Sequence, residues 1–380
     1  MYTIAGYGEM IADEGRMGPY VQALRQTVKP GSVVLDLGAG TGIFAFLACQ
    51  MGAERVYAIE PGACIQVARQ MAQANGYADR IEFIQQLSTE VTLPQPVDVI
   101  ISDLRGILPL FQTHIPALAD ARHRFLAPGG VLIPQQDRLW GAIVTAPEVY
   151  DPLVQPWENR YGLDMNAARQ VITHAWYKAN LNGTHCLTEP QLWGELDYRN
   201  LEQPDLAGPL TWTLTRSGTA HGLCLWFETT LLEGIGFSNA PDQPPLLYGQ
   251  AFFPWPTPVQ LAIGDRVEVT LRANLVRNDY IWRWQTQVLA QETVTAQFNQ
   301  STFQSHPLAL AELHLQADSH QPALSLKGQV MHHILGWMDG DTALGEITQK
   351  ALVAFPDYFA AWQDAFDLVA QVSRLYSRPA

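Results

Sequence analysis

Hydrophobic positions along this chain change spacing twice. Between residues 32 and 134, short apolar runs alternate with segments whose apolar residues recur every three or four positions. The runs at 33–37, 56–60, 81–85, 97–102 and 130–134 are too short for helices. They lack a polar face, which predicts strands buried on both sides. The segments near 42–51, 62–76 and 111–126 predict helices, and Tyr20–Arg25 reads as another before Lys29-Pro30-Gly31. Strand and helix in alternation predict a parallel sheet with right-handed crossovers.

After Pro134 the spacing shortens to two. Arg138–Thr145, Leu210–Thr215, Cys224–Leu231, Val267–Leu275 and Ile281–Val288 predict antiparallel strands of a barrel-like domain. A long insertion at about 157–192 interrupts it, and insertions of that length in compact domains usually have a task. From about residue 306 the spacing is helical again. Leu326, Val330, Met331, Ile334 and Leu335 share a face. Asp339-Gly340-Asp341-Thr342 predicts a turn and N-cap, and Phe355-Pro356-Asp357 precedes a helix expected over Tyr358–Tyr376. The expected organisation is an N-terminal segment plus Rossmann-like α/β domain (1–134), an antiparallel β-barrel domain with an arm (135–305), and a small C-terminal helical module (306–380).

Composition narrows the function. A formal net charge of −14 argues against a general nucleic-acid binder, which needs a basic footprint. The eleven tryptophans are therefore expected in cores rather than under stacked bases. Cys49, Cys64, Cys186 and Cys224 form no CxxC pair, which fits a reducing compartment. His332 and His333 are adjacent, so they do not share a helix face, and no metal is expected. Residues 1–7 show no signal-peptide pattern, and no apolar window reaches membrane-spanning length. A cytoplasmic protein without a membrane partner is the expectation.

The chemistry lies at the strand ends, where ligands bind in open α/β sheets. The run Val33-Val34-Leu35 leads into Asp36 and a turn with Gly38, Gly40 and Gly42. Glycine permits the tight turn and lets backbone N–H groups approach a ligand. Val56–Ile59 leads into Glu60, about 20 residues beyond the glycine turn, where a carboxylate reaches ribose hydroxyls. The turn has no Walker lysine and reads D-x-G-x-G-x-G rather than G-x-G-x-x-G. It is read as the loop that binds S-adenosylmethionine (SAM). Ser88–Glu90 and Ser102-Asp103 fall at two further strand ends.

Together these residues resemble the protein arginine methyltransferase family from about Met10 to residue 290. Met10-x-x-Asp13-Glu14-x-Arg16 resembles its N-terminal segment that closes over SAM. Val34–Gly42 resembles its SAM loop, and Ala58-Ile59-Glu60 its ribose-binding strand. Trp157-Glu158-Asn159-Arg160-Tyr161-Gly162-Leu163-Asp164-Met165 resembles the start of its dimerisation arm. Gly236-Phe237-Ser238 resembles the barrel segment leading to its substrate loop. The resemblance implies a Rossmann-like domain, a β-barrel and a homodimer. It also implies cofactor contacts from Met10, Arg16, Asp36, Gly38, Gly40, Gly42 and Glu60, with Thr89 or Glu90 at the adenine.

The departures fall where the acceptor binds. The family clamps a guanidinium between two glutamates; here those positions are Asp103 and Gln112, with Arg105 in the same loop. The family's Thr-His-Trp loop becomes Leu246-Leu247-Tyr248, and its N-terminal histidine position becomes Tyr7. One carboxylate is shortened, one is replaced by an amide, and a cation is added, so a guanidinium meets less attraction. The expectation is methyl transfer to nitrogen or oxygen of a small metabolite or peptide other than protein arginine. Asp103, Gln112 and Arg105 form the catalytic set, with Tyr7, His114 and Tyr248 as weaker acceptor-pocket candidates. The alternatives are a divergent protein arginine N-methyltransferase and a SAM-binding regulatory protein without turnover.

Overall fold

The computed structural model describes residues 3–158, 161–307 and 309–378. Asn159 and Arg160 of the arm motif lie outside the described residues. Two compact units divide the chain, residues 1–307 and 308–380.

The first unit opens with helices α1 (Ile4–Ala12) and α2 (Glu14–Thr27). The Asp13 carboxylate accepts from the Arg16 amide at 3.1 Å and so caps α2. Strands β1 (Val33–Leu37), β2 (Arg55–Ile59), β3 (Ile81–Ile84), β4 (Val97–Ser102) and β5 (Leu126–Ile133) alternate with α3 (Ile43–Gln50), α4 (Ile65–Ala74) and α5 (His114–Phe125). The five strands are parallel in the order β3-β2-β1-β4-β5. The order therefore reverses between β1 and β4, and the open crevice falls at their carboxyl ends. Two helices are shorter than their periodicity predicts. Residues 62–64 form turns before α4, and at 111–113 the left-handed Gln112 (φ 43°) breaks the backbone before α5.

Beyond Pro134 the backbone becomes antiparallel. Its elements are β6 (Gln136–Val144), α6 (Pro147–Val154), α7 (Asn166–Thr173), β7 (Tyr177–Ala179), β8 (Gln191–Asp197), β9 (Leu206–Thr213), β10 (Gly218–Leu232), β11 (Ile235–Ser238), β12 (Gln250–Leu261), β13 (Arg266–Val276), β14 (Asp279–Ala290) and β15 (Thr293–Ser301). One sheet runs β7-β12-β10-β6-β8, with β11 on β10, and a second runs β15-β14-β13-β9. The alternating inward residues of both sheets fill one core, in which Trp255, Trp282, Trp284 and Phe253 are fully buried. That core is continuous with Leu35, Leu37, Ile100, Leu108 and Ile115 of the α/β half. The insertion is not irregular throughout: it contains α7 and β7, and Gln191 and Leu192 already belong to β8.

The second unit contains α8 (Leu310–Leu315), α9 (Leu326–Gly336), α10 (Leu344–Ala354) and α11 (Trp362–Tyr376). Val330, Ile334, Ile347, Ala351, Ala365, Val369 and Val372 form its small core. Two boundaries correct the expectation. Asp339 organises the turn by accepting from the Asp341 and Thr342 amides, yet α10 starts only at Leu344, with Ala343 as N-cap. The last helix begins at Trp362 rather than Tyr358, because Asp364 reaches back to the Ala361 amide at 3.0 Å. Among the described residues, no helix is long and apolar enough to cross a membrane.

Candidate active site

Three adjacent strands deliver acids to one crevice. β1 brings Asp36, Glu60 directly follows β2, and Asp103 directly follows β4. Asp36 is fully buried; one carboxylate oxygen accepts from the Ala45 amide at 3.0 Å and the other has no protein partner. Burial, with a smaller contribution from Glu60, pushes its carboxyl up to about 7. Glu60 braces the glycine turn, accepting from the Gly40 amide at 3.1 Å and the Gly62 amide at 2.6 Å. Gly38 and Gly40 sit at φ 76° and 54°. A Cβ on Gly38 would lie 2.2 Å from Leu104, and one on Gly40 would lie 2.4 Å from the Tyr7 ring. A side chain at either position would be strained by the backbone and crowded by these neighbours. Tyr7, on α1, thus covers the loop, and its hydroxyl accepts from the Cys64 thiol at 3.4 Å.

Asp103 sits at the centre of a buried polar chain. Arg16 approaches its Oδ2 at 2.6 Å, Tyr248 donates to the same oxygen at 2.6 Å, and Arg105 faces Oδ1 at 3.3 Å. Burial alone would raise the Asp103 carboxyl; Arg16 and Arg105 outweigh it and keep the group below the ordinary carboxylate range. Arg16 also donates to the Met10 carbonyl at 3.0 Å and lies over the Tyr20 and Phe44 rings. Asp13 fixes the facing loop, accepting from the Leu247 amide at 2.7 Å.

Arg105 is fully buried. It pairs with Asp137 of β6 at 3.0 Å and lies over the Phe227 and Phe237 rings. Asp137 accepts from the Tyr198 hydroxyl at 2.6 Å, and that hydroxyl lies 3.4 Å from His114 Nε2. Burial, reinforced by Arg105, pushes the His114 ring down to about 3, so it stays neutral. The structure therefore joins Met10, Arg16, Asp103, Arg105 and Tyr248, with His114 at the far end. Gln112 is exposed and takes no part in the hydrogen bonds around Asp103. Thr89 and Glu90 lie exposed on a 3₁₀ turn after β3.

Sequence reading missed Asp137, Tyr198 and Tyr20 as parts of the site. Asp137 did carry a signal. It shares strand parity with Leu139 and Ile143, both fully buried, so it is an acid on the apolar face of a strand. Two cavities lie away from this crevice. One of about 300 Å³ is lined by Cys186, Arg216 and Trp226, and one of about 420 Å³ opens beside Lys29 and Asp98. At the crevice itself, Tyr7 and Leu104 pack against the glycine turn. Among the described residues, no group of three or more His, Cys, Asp or Glu side chains is placed to hold a metal ion.

The chain is similar to known proteins. A family model described as the arginine methyltransferase oligomerization subdomain matches residues 139–288, and one described as ribosomal protein L11 methyltransferase matches residues 20–139. Protein arginine N-methyltransferase 2 of Homo sapiens is 31% identical over 311 residues, covering 77% of this chain and 71% of that protein. Probable protein arginine N-methyltransferase 6 of Arabidopsis thaliana is 30% identical over 242 residues, covering 61% of this chain but only 55% of its own length. The chain thus spans little more than half of that relative. The solved enzyme–prozyme complex of Trypanosoma brucei protein arginine methyltransferase 1 shares the fold, with a TM-score of 0.71 at 20% identity over 78% of this chain and 96% of that one. On the match to the human relative, supported by the oligomerization-subdomain model, the chain belongs to the protein arginine methyltransferase family.

Proposed function

We propose that this chain is a SAM-dependent N-methyltransferase whose acceptor is an arginine guanidinium in a protein or peptide. The observation that carries it is a buried, ionised carboxylate, Asp103, on the strand next to the two that bring Asp36 and Glu60 to one crevice. The residues present fit the cofactor. Asp36 offers an unpartnered buried oxygen, Glu60 is braced at the end of β2, and Gly38 and Gly40 leave out the Cβ that would crowd the turn. When bound, SAM supplies a methyl group on a sulfonium, open to in-line displacement.

The chain's own residues position the partners. Asp36 and the Gly38 and Gly40 backbone shape the methionyl side, Arg16 pairs with the amino-acid carboxylate, and Thr89 or Glu90 borders the adenine. Asp103 orients the acceptor nitrogen by accepting a hydrogen bond from its N–H, and Tyr248 sets the direction of Oδ2. Arginine as acceptor departs from the expectation drawn from the altered loop; the names of the human and Arabidopsis relatives support it. The exposed Trp157, Tyr161 and Leu163 of the arm support self-association into a homodimer.

A second reading, transfer to a non-arginine metabolite, is favoured by the exposed neutral Gln112 and by the cation beside Asp103. Labelled SAM offered with an arginine-rich peptide, and separately with a metabolite panel, discriminates between them. Methylarginine supports the proposal, and a methylated metabolite without methylarginine supports the second reading. Tight SAM binding without any product identifies a binding protein.

A further inference from the structure

The geometry points to Asp137 as the second acid of the acceptor site, a positioning residue whose charge reaches the acceptor through Arg105 and replaces the carboxylate missing at Gln112. The inference rests on the arginine reading above. Four buried charges alternate in one line: Arg16, Asp103, Arg105 and Asp137, linked at 2.6, 3.3 and 3.0 Å. Arg105 and Asp137 have fully buried side chains, and those of Arg16 and Asp103 are 6% exposed, so water screens none of them well.

Taken alone the line is neutral and offers a cation nothing. Once the charge of Arg16 is answered by a ligand carboxylate, the other three carry one net negative charge. That charge exists only because Asp137 cancels Arg105. Without Asp137, the Arg105 cation would cancel Asp103, and the acceptor site would be neutral beside a cationic acceptor. Asp137 is held in place for this. It accepts from Arg105 and Tyr198, and its strand pairs with β10, which carries Phe227 against the Arg105 guanidinium. Position 112, exposed and left-handed, takes no part.

The test measures binding rather than turnover. Protein saturated with S-adenosylhomocysteine is titrated by fluorescence anisotropy with a labelled arginine-rich peptide and with the same peptide carrying neutral citrulline. Wild type is expected to prefer arginine on the order of tenfold or more. Asp137→Asn is expected to bring the two peptides within about twofold of each other, with S-adenosylhomocysteine affinity retained by calorimetry. The double variant Arg105→Met/Asp137→Asn removes both charges and leaves Asp103 alone, so the preference is expected to return. A purely structural role predicts the opposite, because the double variant loses more contacts than the single one.

A folded Asp137→Asn protein that keeps the wild-type preference overturns the inference alone, as does a folded double variant that lacks it. If Asp137→Asn fails to fold, the double variant decides the matter, since it contains no unpaired ion from that pair. A wild-type protein that binds S-adenosylhomocysteine yet shows no preference overturns the arginine reading and the inference together.

Discussion

Asp36→Asn should make the protein more stable and a weaker SAM binder, and the stability gain should depend on pH. The wild-type carboxylate is fully buried, has one hydrogen-bond donor, the Ala45 amide, and faces the like charge of Glu60. Its folded-state value is pushed up to about 7 from 3.8. Between those values the native state holds a proton that the unfolded state has released. Stability therefore falls as pH rises through that window and levels off above it. At about 1.4 kcal/mol per pH unit, the full penalty at pH 8 is on the order of 4 kcal/mol. Asparagine keeps an acceptor for Ala45 and removes the charge. Chemical denaturation of both proteins from pH 4 to 8 should show nearly equal stability at pH 4 and a widening advantage for the variant up to about pH 7. A cationic methionyl group favours the carboxylate, so wild-type SAM affinity should rise through the same window, whereas that of the variant should not. A stability gap that stays constant with pH, or a variant less stable at pH 8, would refute the reasoning.

Three further outcomes follow from single contacts. Glu60→Ala removes the acceptor for the Gly40 and Gly62 amides; SAM affinity by calorimetry should fall on the order of tenfold or more, with about 1–2 kcal/mol of stability lost to the unbraced turn. His114 is buried with its ring value pushed down to about 3. The unfolded state therefore binds a proton below about 6.5 that the native state refuses, and stability falls with acidification by on the order of 2 kcal/mol at pH 5. His114→Gln should flatten that part of the wild-type profile. Trp284 is fully buried and donates to Gln300 at 2.8 Å; Trp284→Ala should cost about 3–5 kcal/mol in denaturant unfolding.

The α/β half was legible because β1, β2 and β4 are largely buried and each has an acid at or just beyond its carboxyl end, so pattern and candidate chemistry coincide at Asp36, Glu60 and Asp103. The barrel was less legible for a specific reason. β12 contains Pro254, Pro256 and Pro258, which read as breaks, yet it runs unbroken from Gln250 to Leu261. Its pairing with β10 shifts register between Ala220 and Gly222, and this irregularity accommodates chain that lacks N–H donors. Asp137 was hidden because the strand expected from the spacing starts at Arg138; β6 starts at Gln136, and parity with Leu139 turns Asp137 inward.

The position of that acid ties the acceptor site to the docking of the two halves. Asp36, Glu60, Asp103 and Arg105 come from the parallel sheet and its loops, whereas Asp137, Tyr198 and Tyr248 come from the antiparallel half. One apolar core runs through both, from Leu37 and Leu108 to Leu139 and Phe227. Separating the halves would leave Arg105 without Asp137 and Asp103 without Tyr248. Exposure of that shared core would raise the cost, since about 25 cal/mol attends each Å² of apolar surface returned to water. The charge proposed to receive the acceptor thus rests on long-range contacts, at sequence separations of 32 and 145. The glycine turn between Asp36 and Glu60 is thus encoded locally, whereas the acceptor site proposed above draws on both halves of the first unit.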